Sequence, residues 1–186
     1  MVGDATINGG ESGTSFKQAL KFMELGFKLH DTMIFEKNSS TFPARKNSNR
    51  YTQIFEYMFI FSKGKISANL ICDKPNKWAG YKDFSGKLKN PVPEFSPRTN
   101  IWRYTTSFND KTSHPAVFPE ALAQDHILTW TKEGALILDP FMGSGTTGKM
   151  ALLNNRNFIG VEISNEYCKE AFERIKKYTP NIILKG

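Results

Sequence analysis

Eleven residues beginning at Asp139, DPFMGSGTTGK, bring together an acid, three glycines and a lysine. Gly143, Gly145 and Gly148 spell G-x-G-x-x-G, a dinucleotide fingerprint. Gly143 through Lys149 spell G-x-x-x-x-G-K, a phosphate-loop pattern without its final Ser or Thr. Either way the stretch reads as a turn whose backbone a ligand can approach closely, because glycine has no side chain to block it.

Three ligands compete for this turn. A phosphate loop needs Ser or Thr after the lysine to hold Mg²⁺, and Met150 stands there. A dinucleotide fingerprint has its first glycine at the strand tip, but DPFM separates Leu138 from Gly143. Asp139 would also face a pyrophosphate, like charge against like. S-adenosylmethionine carries a sulfonium, an ammonium and an adenosine, and no phosphate. A strand-tip carboxylate suits it, and Glu162, 23 positions after Asp139, can accept both ribose hydroxyls. The plain structural alternative is that the glycines only turn a corner and Asp139 caps a helix. The pairing of LDPFMGSGTT with FIGVEI weighs against it.

The elements that must hold these residues follow from local signals. ALIL is a short buried strand ending at Asp139, TTGKMALLNNR a helix, NFIGVEI a strand, and SNEYCKEAFERIKKY a helix capped by Ser164 or Asn165. This is one βαβ unit of a doubly wound sheet. Before it, FPEALAQDHILTWTKEG reads as a helix with Pro119 at its first position and Gly134 at its end. At the other end of the chain, Phe16, Ala19, Leu20 and Met23 fall at i, i+3, i+4 and i+7. They predict an amphipathic helix with Thr14 or Ser15 as N-cap and Gly26 as its stop. FKLHDTMIFEK suits a strand. IFEYMFIFSKG, apolar on both faces, is expected as its neighbour and as a buried strand rather than an edge. From Lys65 to Asp110 periodicity is lost, but Trp78, Tyr81, Phe84, Phe95, Trp102 and Tyr104 argue for an ordered insertion rather than disorder.

At these residues the sequence resembles the DNA amino-methyltransferases, in the permuted group whose cofactor motif follows the target-recognition region. The family's D-P-F-x-G-S-G-T-T is matched by Asp139 to Thr147, its acidic strand end by Glu162, and its H-P-A-x-F-P by His114 to Pro119. FEYMFIFSKGK resembles its strand beside the target-base pocket. The resemblance runs from about Thr14 to Tyr178. It implies an α/β fold: a Rossmann-like S-adenosylmethionine-dependent methyltransferase sheet, here incomplete, with an irregular target-recognition insertion. The division it suggests is 1–62 for the target-base half, 63–110 for the insertion and 111–186 for the cofactor half. The cofactor residues it implies are His114, Pro115, Phe118, Asp139, Phe141, Gly143, Ser144, Gly145, Thr146, Thr147 and Glu162. The reaction it implies is methyl transfer to adenine N6 or cytosine N4 in DNA. NGGESGTSFKQAL and LHDTMIFEK tilt the reading to cytosine.

One departure is large. The family carries D-P-P-Y or S-P-P-Y, which supplies the acceptors for the target amine and a ring to stack on the flipped base. No such tetrapeptide occurs in these 186 residues. The expectation is therefore a C-terminal portion without its own catalytic tetrapeptide, partnered by a polypeptide that supplies the missing half. The alternatives are a non-catalytic remnant that binds DNA and cofactor and, remotely, a nicotinamide oxidoreductase. His114 reads as packing against the cofactor rather than as a base, and His30 and His126 as structural.

The net charge of +7 fits a polyanionic partner. The resemblance makes that partner double-stranded DNA, met by the basic loop Lys37 to Arg50 and the region Lys63 to Arg103. Arg45, Lys46, Arg50, Lys74, Lys77, Lys82 and Arg98 are the candidate contacts. Trp78 or Trp102 could stack on a base or form the insertion's small core. Cys72 and Cys168 give neither a metal spacing nor a disulfide framework, so no metal is expected. The longest apolar runs are too short for a bilayer. The N-terminal stretch lacks the apolar region of a secretion signal. A cytoplasmic, nucleoid-associated protein is expected.

Overall fold

The first helix, α1 (Thr14–Glu24), is capped differently from expectation. Gly13, in the left-handed region with φ 61°, takes the N-cap position and gives no side-chain cap. Asp4, eleven residues before Ser15, does the capping instead. Its Oδ1 accepts from Ser15 N at 3.2 Å, its Oδ2 accepts from Ser15 Oγ, and Ser12 Oγ donates to Oδ1 at 2.9 Å. A carboxylate suits the positive end of a helix dipole. The Ser15 hydroxyl bond outweighs desolvation and holds Asp4 below the usual carboxylate range. The stop is as expected. Gly26 (φ 87°) follows the C-cap, with Phe27 N donating to Phe22 O and Gly26 N to Met23 O, a Schellman closure. Of the apolar stripe only Ala19 is buried, while Phe16, Leu20 and Met23 are exposed.

The computed structural model describes residues 3–37, 51, 53–82, 85, 90–105 and 118–178. The chain divides into two compact units. The first comprises Met1–Phe35, Glu56–Gly64 and Asn69–Trp102, and the second Glu36–Phe55, Lys65–Ala68 and Arg103–Gly186. A two-residue hairpin, β1 (Thr6–Ile7) with β2 (Gly10–Glu11), precedes α1. Strands β3 (Lys28–Lys37), β4 (Phe55–Ser62) and β7 (Ile101–Tyr104) form a sheet in the order β4-β3-β7. The neighbour relation of β3 and β4 is thus as the sequence suggests, but β4 is an edge strand among the described residues. The reason is that an apolar pattern reports a strand's faces and not its edges. Tyr57, Phe59 and Phe61 form a ladder on one face, with Phe16 against Tyr57 and Phe22 stacked on Phe61. Met58 is buried on the other face. Met33 and Phe35 bury the middle strand.

The described part of the insertion is ordered, while Phe84 lies outside the described residues. β5 (Cys72–Pro75) and β6 (Phe95–Pro97) pair antiparallel. Trp102 is buried in β7 with the Arg98 guanidinium over its ring, and Asn100 Nδ2 donates to Thr32 O.

In the second unit α2 (Glu120–Trp130) has Pro119 at its N-cap, one position before the expected first turn. It ends at extended Thr131 rather than at Gly134, which sits in the following turn with φ 74°. Then come β8 (Leu136–Asp139), α3 (Thr146–Leu153), β9 (Asn157–Gly160) and α4 (Asn165–Ile175), with Ser164 capping α4 through Tyr167 N. β8 and β9 pair in parallel, Asp139 opposite Gly160. This β8-α3-β9 crossover is the Rossmann-like element. α3 closes through Asn155 (φ 60°), with Arg156 N donating to Ala151 O and Asn155 N to Leu152 O. The core is Ala123, Ile127, Met150 and Ala151, packed by Phe118, Ile137 and Phe158. These lie on one face of the parallel pair. Leu136, Leu138 and Ile159 on the other face are about half exposed or more. Among the described residues no helix is long and apolar enough to cross a membrane.

Candidate functional site: the turn after strand β8

The chain leaves β8 at Asp139, whose Oδ1 accepts from Phe141 N at 3.0 Å. The carboxylate therefore ties its own turn and does not cap α3. Met142 N donates to Val161 O, and Val161 N to Asp139 O, so the turn is laced to the end of β9. Glu162 completes the lacing. Its Oε2 accepts from Gly143 N at 2.8 Å and its Oε1 from Ser164 N at 2.9 Å. A carboxylate oxygen has lone pairs for more than one hydrogen bond. Phe141 projects outward, 88% exposed beside Asp139.

The glycines do different work from what their pattern suggests. Gly143 (φ 53°) and Gly145 (φ 80°) occupy the left-handed region that favours glycine. A Cβ on Gly145 would also lie 2.9 Å from Ile175 and 3.0 Å from Ala171. One on Gly148 would lie 2.5 Å from the Phe158 ring. Gly145 and Gly148 thus admit α4 and β9 rather than a ligand.

Ser144 and Thr146 are buried and turn toward α4. Arg174 Nη1 donates to Ser144 O and Oγ, both at 3.3 Å, and to Thr146 Oγ1 at 3.1 Å. Its Nη2 donates to Glu120 Oε1 at 2.6 Å, and Lys149 Nζ meets the same oxygen at 2.5 Å. Burial raises the Glu120 carboxyl. The hydrogen bonds and charges of Lys149 and Arg174 outweigh that and hold it below the usual range. This cluster escaped the sequence reading. Its only local sign is an acid at the start of α2 and a basic residue near the end of α4, 54 positions apart. Lys149, the residue that made the stretch resemble a phosphate loop, is committed to it.

Asp139, Phe141, Gly143, Ser144, Gly145, Thr146, Thr147 and Glu162 are therefore gathered at one turn, and Phe118 packs on the core behind it. His114 and Pro115 lie outside the described residues, as do Arg45, Lys46 and Arg50. In the first unit Lys74, Lys77 and Lys82 are exposed, with Trp78 (72% exposed) edge-on to Tyr81 between them. Arg98 is instead paired with Asp73 (Nη2–Oδ2 2.5 Å) beneath its contact with Trp102. The Arg98 hydrogen bond holds Asp73 below the usual carboxylate range. His126 is buried. Its Nδ1 accepts from Trp130 Nε1 at 3.2 Å, and burial pushes its pKa down to about 4.

A parallel β-α-β crossover with a glycine-bearing turn after its first strand defines a Rossmann-like element. The chain belongs to the N6/N4 DNA methylase family, whose model, described as DNA methylase, matches residues 2–173. It is 54% identical to the orphan methyltransferase M.BamHII of Bacillus amyloliquefaciens over 96% of this chain and 74% of that protein. It is 38% identical to the DNA adenine methyltransferase YhdJ of Escherichia coli strain K12 over 80% of this chain and 53% of that one. The crystal structure of the M1.HpyAVI–SAM complex superposes with a TM-score of 0.61 at 30% identity, over 92% of this chain and 72% of that one. The chain thus spans from about half to three quarters of the length of these relatives. The likeness is to methyltransferases, as the motifs imply, with a partial Rossmann-like fold.

Proposed function

We propose that the chain binds S-adenosylmethionine at the turn after β8 and forms the cofactor-holding part of a DNA amino-methyltransferase. The observation that carries the reading is where the turn's amides go. Phe141 N, Met142 N, Gly143 N and Gly145 N are bonded to Asp139, Val161, Glu162 and Met142 respectively. A phosphate cradle needs such N–H groups free and facing the ligand. Here two carboxylates stand among them instead. That donor set suits a cation and a pair of hydroxyls, which S-adenosylmethionine has, and opposes a pyrophosphate. In this reading Glu162 accepts the ribose hydroxyls, Asp139 faces the positively charged methionine portion, and Phe141 covers it. The family resemblance would bring His114 and Pro115, outside the described residues, to the same portion. The cofactor supplies an electrophilic methyl group. Titration calorimetry with S-adenosylmethionine, its demethylated product and NAD tests the assignment, and preferential binding of NAD overturns it.

The substrate proposed is double-stranded DNA, held by Lys74, Lys77 and Lys82 together with the basic residues Arg45, Lys46 and Arg50. Arg98, being paired with Asp73, is reassigned to supporting the hairpin. Binding should weaken steeply with salt, because cationic contacts release counterions. A mobility shift unchanged between low and moderate salt would count against it. Methyl transfer to adenine N6 or cytosine N4, with cytosine tried first, is expected to need acceptors like those of D/S-P-P-Y, which these residues do not carry. A second polypeptide segment would supply them and cover the open face at Leu136, Leu138 and Ile159. Tritiated-methyl transfer to unmodified DNA, by the chain alone and with such a segment, tests this. Digestion to nucleosides then identifies the base. Equal transfer by the chain alone would show that the acceptors lie within it.

A further inference from the structure

The turn has little conformational preference of its own, with two left-handed glycines in three residues. It is held from two sides. Glu162 takes Gly143 N, and Arg174 takes both residues flanking Gly145, the backbone oxygen and hydroxyl of Ser144 and the hydroxyl of Thr146. The Arg174 side chain is only 12% exposed, and its other nitrogen is fixed by Glu120. One planar group thus joins the start of α2, the end of α4 and the turn.

We propose that Arg174, aimed by Glu120, is a positioning residue that holds residues 143–147 in the cofactor-ready conformation. The inference rests on the cofactor reading above. A loop ordered before binding spares the complex the entropy of ordering it, and the difference appears as affinity. The role needs a guanidinium. A fork can serve Glu120 and the turn together, whereas the single ammonium of a lysine cannot span both. Arg156 provides a contrast. It too is buried and multiply bonded, to Thr131 Oγ1 and O and to Asn154 O, but it does not touch the turn.

The experiment compares wild type, Arg174→Met, Arg174→Lys and Arg156→Met in the full chain. It reads the Kd for S-adenosylmethionine by calorimetry and backbone hydrogen exchange without ligand. The expected result is a Kd raised about tenfold or more in Arg174→Met. Exchange should be faster at 143–147, with little rescue by Arg174→Lys. Arg156→Met should lower Tm but leave affinity and turn exchange as in wild type. Arg174→Lys keeps the charge and most of the packing, so it reports even if Arg174→Met does not fold. Wild-type affinity in both Arg174 variants overturns the inference, as does an equal loss in Arg156→Met. Absence of binding by wild type overturns the cofactor reading, and this inference with it.

Discussion

Gly145 and Gly80 share a φ of 80°, one in the turn after β8 and the other beside Trp78 in the basic hairpin. A Cβ on Gly145 would run into Ile175 and Ala171, whereas one on Gly80 would meet nothing within 4 Å. The same backbone conformation is enclosed in one region and open in the other. The difference separates the two proposed tasks. Residues 143–146 after β8 are buried, and their turn is laced by two carboxylates and a guanidinium. The hairpin tip exposes lysines and two aromatic rings on a locally bonded turn, with Gly80 N on Val92 O and Tyr81 N on Trp78 O. Such a surface can adapt to a flexible polyanion.

The largest effect that would sharpen this contrast is on stability. Gly145→Ala combines left-handed strain with overpacking and should cost about 2–5 kcal/mol. Gly80→Ala carries the strain alone, about 1–2 kcal/mol. Chemical denaturation of both variants measures the gap, and equal losses would break the comparison. Acid should distinguish the regions next. The folded pKa of His126, about 4, lies below its ordinary 6.5, so its contribution is complete above 6.5 and is lost as pH falls toward 4. The loss reaches about 3 kcal/mol. Asp4 and Asp73 in the first unit are lowered from 3.8, so their contributions persist above that value and fade only below it. Hydrogen exchange at pH 5 should therefore show α2 loosened while the hairpin β5–β6 stays protected.

Smaller effects concern ligands. Glu162→Ala removes acceptors for Gly143 N and for the proposed ribose hydroxyls. It should weaken S-adenosylmethionine binding by about 1–3 kcal/mol in calorimetry. Trp78→Ala should leave Tm nearly unchanged but weaken DNA binding by about 1–3 kcal/mol if the ring stacks on an unpaired base. Competition titration against labelled DNA measures it. An unchanged affinity would make Trp78 and Tyr81 a purely structural pair.

Local signals carried much of the fold. The stops at Gly26 and Asp139, the Ser164 cap and the β8-α3-β9-α4 order were all legible. Caps, turns and periodicity act within a few residues and are written contiguously in the chain. The net charge suggested a polyanionic partner, and DPFMGSGTT with Glu162 picked out the turn and its acidic companion. The tertiary structure decided what spacing cannot encode. It made Trp102 a core residue and left Trp78 outside, although both lie in the same irregular stretch. It put β4 at an edge among the described residues, because pairing is settled by which strand arrives beside it. It drew Lys149 to Glu120 and turned Gly145 toward α4 rather than toward a ligand. Partners 54 positions apart, such as Glu120 and Arg174, meet only after the helices pack, since burial makes each charge seek the other and no local rule brings them together.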